Sequence, residues 1–258
     1  MAKHDRAYLL HGAKRNEMLT LEEVLQYGID SFDDPDYLSL YGLRPAKWYA
    51  LGIRLLGRTA VECTRDVLAD RIGRDISRVT ASLPAATPVT AIDPFAGSCN
   101  TLYWILRHVD AAQGIAFELD PQVFDLTSRN IAHLDPSVAL NKGDFLAGLA
   151  SHELAPGHAL VMFVAPPWGT ALDESEGLDL SRTEPPITQI IEQVSRRYAG
   201  STTLTLRVET TAFCLAPRAG RRVSHRGDLL ALLRARVPQR AVTADLGTLA
   251  KQRRYRRS

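Results

Sequence analysis

The feature that most constrains the fold is an alternation that begins at Val89 and continues through most of the remaining chain. Short apolar runs, each the length of a buried strand, alternate with longer segments whose apolar residues recur at helical spacing. Strands alternating with helices predict βαβ units, and therefore a mostly parallel sheet with helices on both faces. In sheets of this kind, ligands bind at the edge where the strands end.

The pattern predicts the following elements. The predicted strands are Val89–Asp93, Gly114–Leu119, Val138–Asn141, Ala159–Ala165, Thr202–Val208 and about Ala241–Asp245. The predicted helices between and after them are Thr101–Arg107, Gln122–His133, Ile187–Tyr198 and Leu229–Val237.

The residues before this alternation form a separate, all-helical region. Thr20 and Glu23 have the spacing of a capping box, which predicts a helix beginning after Thr20. A second helix face follows from the apolar series Leu68, Ile72, Ile76, Val79 and Leu83. The proline-containing stretch Leu83–Pro88 then marks a boundary. The sequence therefore predicts a helical extension over residues 1–85 and a sheet domain over residues 86–258.

Charge and cysteine content limit the environment and the partners. The stretch Pro217–Ser258 holds 12 Lys and Arg against two Asp and Glu, and the rest of the chain is acidic, so RNA is a candidate partner of the basic C-terminal third. Three widely spaced cysteines indicate neither a disulfide framework nor a metal site, and a cytoplasmic location is expected. No apolar run is long enough to span a membrane.

The first two predicted strands end in residues suited to a nucleotide-like ligand. After Val89–Asp93, the turn "PFAGSCN" contains Gly97, which allows a close backbone approach, and leads into a helix N-terminus. Glu118 ends the next strand, 21 residues after Gly97. An acid about 20 residues after a glycine turn is placed to accept hydrogen bonds from a ribose diol.

The next two strands end in residues that can hold a nucleobase or stack on a base or a cation. Asp144 and Phe145 follow the third strand, where a carboxylate can accept from an exocyclic amine and a ring can pack on a base. The fourth strand ends in "APPWG", in which two prolines stiffen the exit and Trp168 offers a flat face for stacking on a base or a cation.

Together these four stretches resemble the motifs of the class I S-adenosylmethionine-dependent methyltransferases. The stretches are "DPFAGSCN", "FELD", "GDF" and "APPW", and the resemblance covers about Val89 to Val208. It implies a Rossmann-like, doubly wound α/β fold and S-adenosylmethionine as cofactor. The Pro-Pro-aromatic turn looks most like enzymes that methylate nucleobase amines, and "PPWG" is faintly similar to the RNA-cap trimethylguanosine synthases.

The resemblance also implies roles for individual residues. Asp93 and the turn from Gly97 to Asn100 would hold the methionine part, Glu118 the ribose, and Asp144 with Phe145 the adenine. The full implied cofactor-binding set is Asp93, Phe95, Ala96, Gly97, Ser98, Asn100, Thr101, Glu118, Leu119, Asp144 and Phe145. Ala165, Pro166 and Trp168 are expected at the reacting centre.

One position departs from the pattern. Enzymes that methylate amines usually begin the fourth motif with Asn, Asp or Ser, which accepts a hydrogen bond from the target nitrogen, whereas this chain has Ala165. Methyl transfer to a small-molecule or nucleobase nitrogen therefore competes with two other readings. One is a cyclase that consumes S-adenosylmethionine, releasing methylthioadenosine and forming azetidine-2-carboxylate. The other is a catalytically degenerate module that binds RNA or protein.

Aromatic residues in the N-terminal region complete the candidate site. The stretch "DYLSLYGLRPAKWYALG" is dense in rings, and Tyr37 and Tyr41 are candidates for a lid that faces the sulfonium through cation–π attraction. The alternative is that these rings pack the helical region against the sheet. No feature of the sequence indicates an oligomeric state.

Overall fold

The computed structural model describes residues 4–84, 87–109, 112–134, 137–153, 158–167, 172–173, 177–178, 182–198, 204–208 and 233–235. The helices are α1 (Arg6–His11), α2 (Leu21–Phe32), α3 (Pro45–Ala50), α4 (Gly57–Glu62), α5 (Asp66–Thr80), α6 (Asn100–His108), α7 (Pro121–Ala132), α8 (Phe145–Ser151) and α9 (Ile187–Arg197), with a 3-10 turn at Ala13–Asn16. The strands are β1 (Val89–Asp93), β2 (Ala112–Glu118), β3 (Val138–Lys142), β4 (Ala159–Val164), β5 (Leu172–Asp173), β6 (Gly177–Leu178), β7 (Leu204–Val208) and β8 (Leu233–Ala235).

Six of these strands form one mixed sheet in the order β3-β2-β1-β4-β7-β8. The pairs from β3 to β7 are all parallel, and β8 adds an antiparallel edge. The strand order reverses between β1 and β4, which is the switch point where doubly wound sheets bind ligands. The predicted α/β class with a mostly parallel, Rossmann-like sheet is confirmed by this topology.

Helices cover both faces of the sheet. On one face, Ile92 of β1 and Leu160 of β4 lie in a buried cluster with residues of α8 and α9. On the other face, Ala91 and Val161 lie in a cluster with residues of α5, α6 and α7. All of β4 is buried, as expected for a parallel strand packed on both sides, and this explains its continuous apolar run.

Helix α2 begins where the sequence predicts. Thr20 caps α2, and the reciprocal bonds of the capping box with Glu23 are both present. Helix α5 packs along α6 so closely that a Cβ on Gly73 would lie 2.6 Å from the carbonyl oxygen of Trp104. Since Ile72 and Ile76 belong to the core cluster of the sheet, α5 forms part of the helical layer over the sheet.

One prediction along the chain differs from the structure, and one helix was missed. The predicted helix Leu229–Val237 is wrong where the structure describes it, because Leu233–Ala235 pairs antiparallel with β7 as β8. The apolar and basic residues in "LLRARV" fit the period of a helix and that of a strand. Pairing with the edge of the sheet at β7 stabilises the strand. Helix α8 was not predicted. The predicted strand at Ala241–Asp245 lies outside the described residues.

A third buried cluster holds the N-terminal region together, with Trp48, Leu9 and Ile53 at its centre. The indole nitrogen of Trp48 donates to the carbonyl oxygen of Leu38 at 3.0 Å, so its buried polar group is satisfied. Within the parts of the chain that the structure describes, no helix is long and apolar enough to cross a membrane.

Candidate functional site

The turn after β1, residues 94–99 and called the β1 turn below, lies at the switch point of the sheet. The buried Asp93 ends β1, and its carboxylate accepts a hydrogen bond from the backbone N–H of Phe95 at 3.1 Å. The N–H of Ala96 donates to the carbonyl oxygen of Phe117 at 2.9 Å, which ties the turn to β2. Helix α6 follows at once, so its N-terminus lies beside the turn.

Glu118 and Gly97 meet as their positions at the strand ends predict. One carboxylate oxygen of Glu118 accepts from the N–H of Gly97 at 2.9 Å, and the other accepts from the N–H of Asp120 at 2.8 Å. Burial raises the pKa of Glu118, and these two hydrogen bonds offset only part of that rise. Each carboxylate oxygen has a second lone pair, so Glu118 can accept from a diol while keeping both backbone bonds.

Helix α7 holds the β1 turn on one side, and the space next to Gly97 is open. The hydroxyl of Thr127 donates to the carbonyl oxygen of Gly97 at 2.6 Å, so α7 holds the turn from one side. Gly97 has φ +50°, and a Cβ there would meet nothing nearer than the carbonyl oxygen of Phe95 at 4.0 Å. A ligand can therefore approach this backbone closely, next to the carboxylate of Glu118.

The residues after β3 are placed on the neighbouring strand end but are held locally. The N–H of Gly143 donates to the carbonyl oxygen of Glu118 at 2.9 Å. The exposed Asp144 caps α8, because one of its oxygens accepts from the N–H groups of Leu146 and Ala147 at 3.0 and 3.1 Å. The ring of Phe145 is only 2% exposed and lies in the core, 5.2 Å from the ring centroid of Phe95.

A groove of about 330 Å³ lies between the end of β3 and α8. Asp144 lines it, together with Lys142, Gly148 and His152. Leu119 is 70% exposed on the adjoining strand end, although its neighbour Glu118 is half-buried. The side of the site nearest β3 is therefore more exposed than the β1 turn, in which Gly97 is half-buried.

The N-terminal region contacts the β1 turn through Tyr41. Its N–H donates to the side-chain oxygen of Asn100 at 2.7 Å, and its hydroxyl donates to the carbonyl oxygen of Ser98. Tyr41 is 2% exposed, and Ser98, Asn100 and Thr101 are also buried. The fold therefore brings the predicted residue Tyr41 to the predicted turn, where its hydroxyl is hydrogen-bonded to the protein backbone.

Tyr37 lies elsewhere in the N-terminal region. Its ring stacks on Phe32 with centroids 3.4 Å apart, and the guanidinium of Arg65 lies 4.3 Å from its centroid. These contacts join Tyr37 to the last residue of α2 and to the residue before α5. A role for either tyrosine in a lid stays a prediction.

At the end of β4, Ala165 is half-buried, Pro166 is buried and Pro167 is exposed. Ala165 packs against the core cluster on the α6 face of the sheet. Trp168 lies outside the described residues, so its stacking role also stays a prediction.

Three residues that join the N-terminal region to the site were not predicted. Asn130 of α7 accepts from the N–H of Arg54 at 3.0 Å and donates to its carbonyl oxygen at 2.8 Å. Arg58 of α4 pairs with Asp120 at 2.7 Å. Asp66 of α5 accepts from the indole nitrogen of Trp104 at 2.6 Å.

A sequence signal for one of them exists. Val123, Thr127, Asn130 and Ile131 share the buried face of α7 at helical spacing, so two polar side chains interrupt an apolar stripe. Polar residues on such a stripe need buried partners, and here they hold the β1 turn and the N-terminal region. Arg58 and Asp66 carry no comparable signal, because their partners are distant in the chain.

No protein-family model matches the chain, and no curated protein matches it. Among solved structures it is similar to the rRNA methyltransferase aviRa of Streptomyces viridochromogenes, at 18% identity over 58% of this chain and 76% of that one, with a TM-score of 0.39. It is also similar to the N-terminal domain of human METTL16 in complex with SAH, at 12% identity over 58% of each chain, with a TM-score of 0.41.

A third similar structure is the precorrin-6y C5,15-methyltransferase of Geobacter metallireducens, at 16% identity over 57% of this chain and 64% of that one, with a TM-score of 0.34. The chain spans less than two-thirds of the length of the METTL16 and precorrin structures. All three TM-scores lie below 0.5. The description of the fold therefore rests on the strand order and on the helices that cover both faces of the sheet.

Proposed function

We propose that this chain binds S-adenosylmethionine at the ends of β1 to β3 and transfers its methyl group to a nitrogen acceptor. The observation that carries the proposal is the pairing of Glu118 with the N–H of Gly97 at 2.9 Å, beside a turn that is open above Gly97. A half-buried carboxylate next to an uncovered glycine turn suits a ribose diol with a charged substituent.

The residues present fit such a cofactor. Glu118 accepts hydrogen bonds from the ribose hydroxyls, and the β1 turn with Asp93 holds the methionine part. Asp144 is exposed at the neighbouring strand end, where its carboxylate can accept from the adenine amine. When bound, the sulfonium supplies an activated methyl group, so the protein needs chiefly to position the acceptor and to exclude water.

Ala165 limits the hydrogen bonds that this chain can offer to the acceptor. Its methyl side chain accepts no hydrogen bond, so aiming the target nitrogen falls to backbone carbonyls and to Trp168. A neutral amine attacks without a strong base and loses its proton after transfer. The acceptor is a small molecule or a nucleobase. RNA binding by the basic C-terminal third would favour a nucleobase.

Direct binding tests the proposal. Isothermal titration of the full chain with S-adenosylmethionine should give a dissociation constant in the micromolar range, and Glu118→Gln should weaken it. Glu192→Gln, an exposed acid that pairs with Arg196 on α9, is the matched control and should leave the constant unchanged. Failure of the wild-type chain to bind at high micromolar concentration would favour the degenerate binding module.

A second candidate reaction is favoured by Ala165. In it the α-amine of S-adenosylmethionine attacks its own γ-carbon, the bond from that carbon to sulfur breaks, methylthioadenosine leaves, and the ring nitrogen releases a proton as azetidine-2-carboxylate forms. No separate acceptor is needed, so an acceptor-free fourth motif suits it. Incubation with S-adenosylmethionine alone, followed by mass spectrometry, separates the two: methylthioadenosine identifies the cyclase, and cofactor that is bound but intact leaves methyl transfer as the reaction to test.

A further inference from the structure

Two residues with unusual backbone conformations meet at the β1 turn. Tyr41 has φ +57° and Cys99 has φ +63°, both in the left-handed region that non-glycine residues rarely adopt. Each conformation is unfavourable for a residue with a Cβ and persists only where the surrounding structure enforces it. Such residues cluster at sites where a fixed backbone is part of the function.

Hydrogen bonds link these two residues across the boundary between the N-terminal region and the sheet. Ser98 and Asn100 flank Cys99, and Tyr41 bonds to both, through its hydroxyl and its backbone N–H. The side-chain nitrogen of Asn100 donates in turn to the carbonyl oxygen of Thr64 at 2.8 Å. The conformation of the β1 turn at Cys99 is therefore enforced by residues far away in the sequence.

Asp66 is the centre of this network. Its carboxylate accepts from the indole nitrogen of Trp104 at 2.6 Å, from the side-chain nitrogen of Asn100 at 3.1 Å and from the N–H of Gly42 at 2.9 Å. Burial raises the pKa of Asp66, and these donors offset part of the rise. The three donors come from α6 and from the residue after Tyr41, so one buried carboxylate joins both sides of the network.

We propose that Asp66 is a positioning residue for the cofactor turn, which it holds through Asn100 and Tyr41 in the conformation that receives the methionine part of S-adenosylmethionine. The inference rests on the proposed function. Asp66 touches no reacting group and acts through Asn100. On this view the N-terminal region, through Tyr41 and Asp66, is a fixed wall of the site.

Asp66→Asn tests the network with minimal change in volume. An amide has one accepting oxygen, so its NH₂ group must face at least one of the three donors that now meet the carboxylate. Asp75→Asn is the matched control, because Asp75 lies on the same helix and pairs with the exposed Arg78 away from the turn. Tyr41→Phe is a second variant that removes only the hydroxyl bonded to Ser98.

Two measurements are made on the full chain and its variants. Hydrogen exchange of the backbone amides from Gly97 to Trp104, without ligand, should become about tenfold faster in Asp66→Asn and unchanged in Asp75→Asn. Titration should show S-adenosylmethionine binding about tenfold weaker in Asp66→Asn, whereas adenosine, which contacts Glu118 and Asp144, should bind within about twofold of wild type. Tyr41→Phe should move both measurements in the same direction.

Unchanged exchange in both Asp66→Asn and Tyr41→Phe would overturn the proposal. Equal losses for S-adenosylmethionine and adenosine would also overturn it, because they would indicate general destabilisation. A wild-type chain that binds neither ligand refutes the proposed function together with the positioning role. That result is distinguishable, because it is seen before any substitution is made.

Discussion

The β1 turn and the turn after β3, formed by Gly143 and Asp144, occupy equivalent places at the ends of parallel strands but are held in different ways. The β1 turn is mostly buried, with Gly97 half-buried, and it depends on partners far along the chain, such as Tyr41 and Thr127. The β3 turn is held by Glu118 and by the first residues of its own helix. One half of the proposed site therefore depends on several distant segments, and the other half depends on Glu118 and on bonds within its own helix.

This difference sets how each half responds to change. A substitution in the N-terminal region is expected to reach the β1 turn through hydrogen bonds between residues such as Tyr41 and Asn100, which are 59 positions apart. A substitution near Asp144 is expected to stay local, because its bonds span two or three residues.

Replacing Asn130 of α7 or Asn141 of β3 should have very different effects on the free energy of unfolding. Asn130→Leu removes both bonds that the buried Asn130 makes to the half-buried backbone N–H and C=O of Arg54, and should lower the free energy of unfolding by about 3 kcal/mol. Asn141→Leu, on the exposed end of β3, should cost about 0.5 kcal/mol. Urea unfolding measures both, and equal losses would contradict the contrast.

Glu118 joins the two turns, since its carboxylate bonds to Gly97 and its carbonyl oxygen to Gly143. Glu118→Gln removes the charged acceptor proposed for the ribose and should weaken S-adenosylmethionine binding by about 2 kcal/mol, measured by calorimetric titration. An unchanged dissociation constant would remove Glu118 from the ribose role.

Asp144→Ala should have a smaller, local effect. The substitution removes the cap of α8 and should lower the free energy of unfolding by about 1 kcal/mol. Hydrogen exchange should become faster in α8 and stay unchanged in the β1 turn. Faster exchange at Gly97 in this variant would show that the two halves are coupled.

The pH dependence of cofactor affinity should sharpen the role of Glu118. A protonated carboxyl is a poorer acceptor, and the protonated fraction rises as pH falls. Because burial raises the pKa of Glu118, affinity should begin to fall at a higher pH than an exposed glutamate would give. Titrations from neutral to mildly acidic pH should show this loss in wild type and a flatter profile in Glu118→Gln.

The sequence predicted the parts of the fold that repeat along the chain. Apolar periodicity placed β1, β3, β4 and α5 within a few residues, and the Thr20 capping box marked the start of α2. It also indicated that Glu118 lies near Gly97, because parallel strands bring their ends together.

Contacts between distant segments left no periodic signal, and they were missed. Nothing near Asp66 indicates that Trp104 and Asn100 lie against it, since both are more than 30 positions away. Helix α8 was overlooked although Asp144 has the position of an N-cap before an Ala- and Leu-rich run. Short helices carry too few turns for periodicity to reveal them, and the cap was the usable signal.

The close approach of α5 and α6 at Gly73 has a consequence for the order of folding. These helices flank β1 in the sequence, and their contact at Gly73 and Trp104 closes a shorter loop than the pairing of Leu160 with Leu204 between β4 and β7. Contacts that close shorter loops form earlier, so we expect the contact of α5 with α6 to precede the pairing of β4 with β7. We expect the segment from α5 to α6 to form the nucleus, so that Gly73→Ala slows refolding more than it accelerates unfolding.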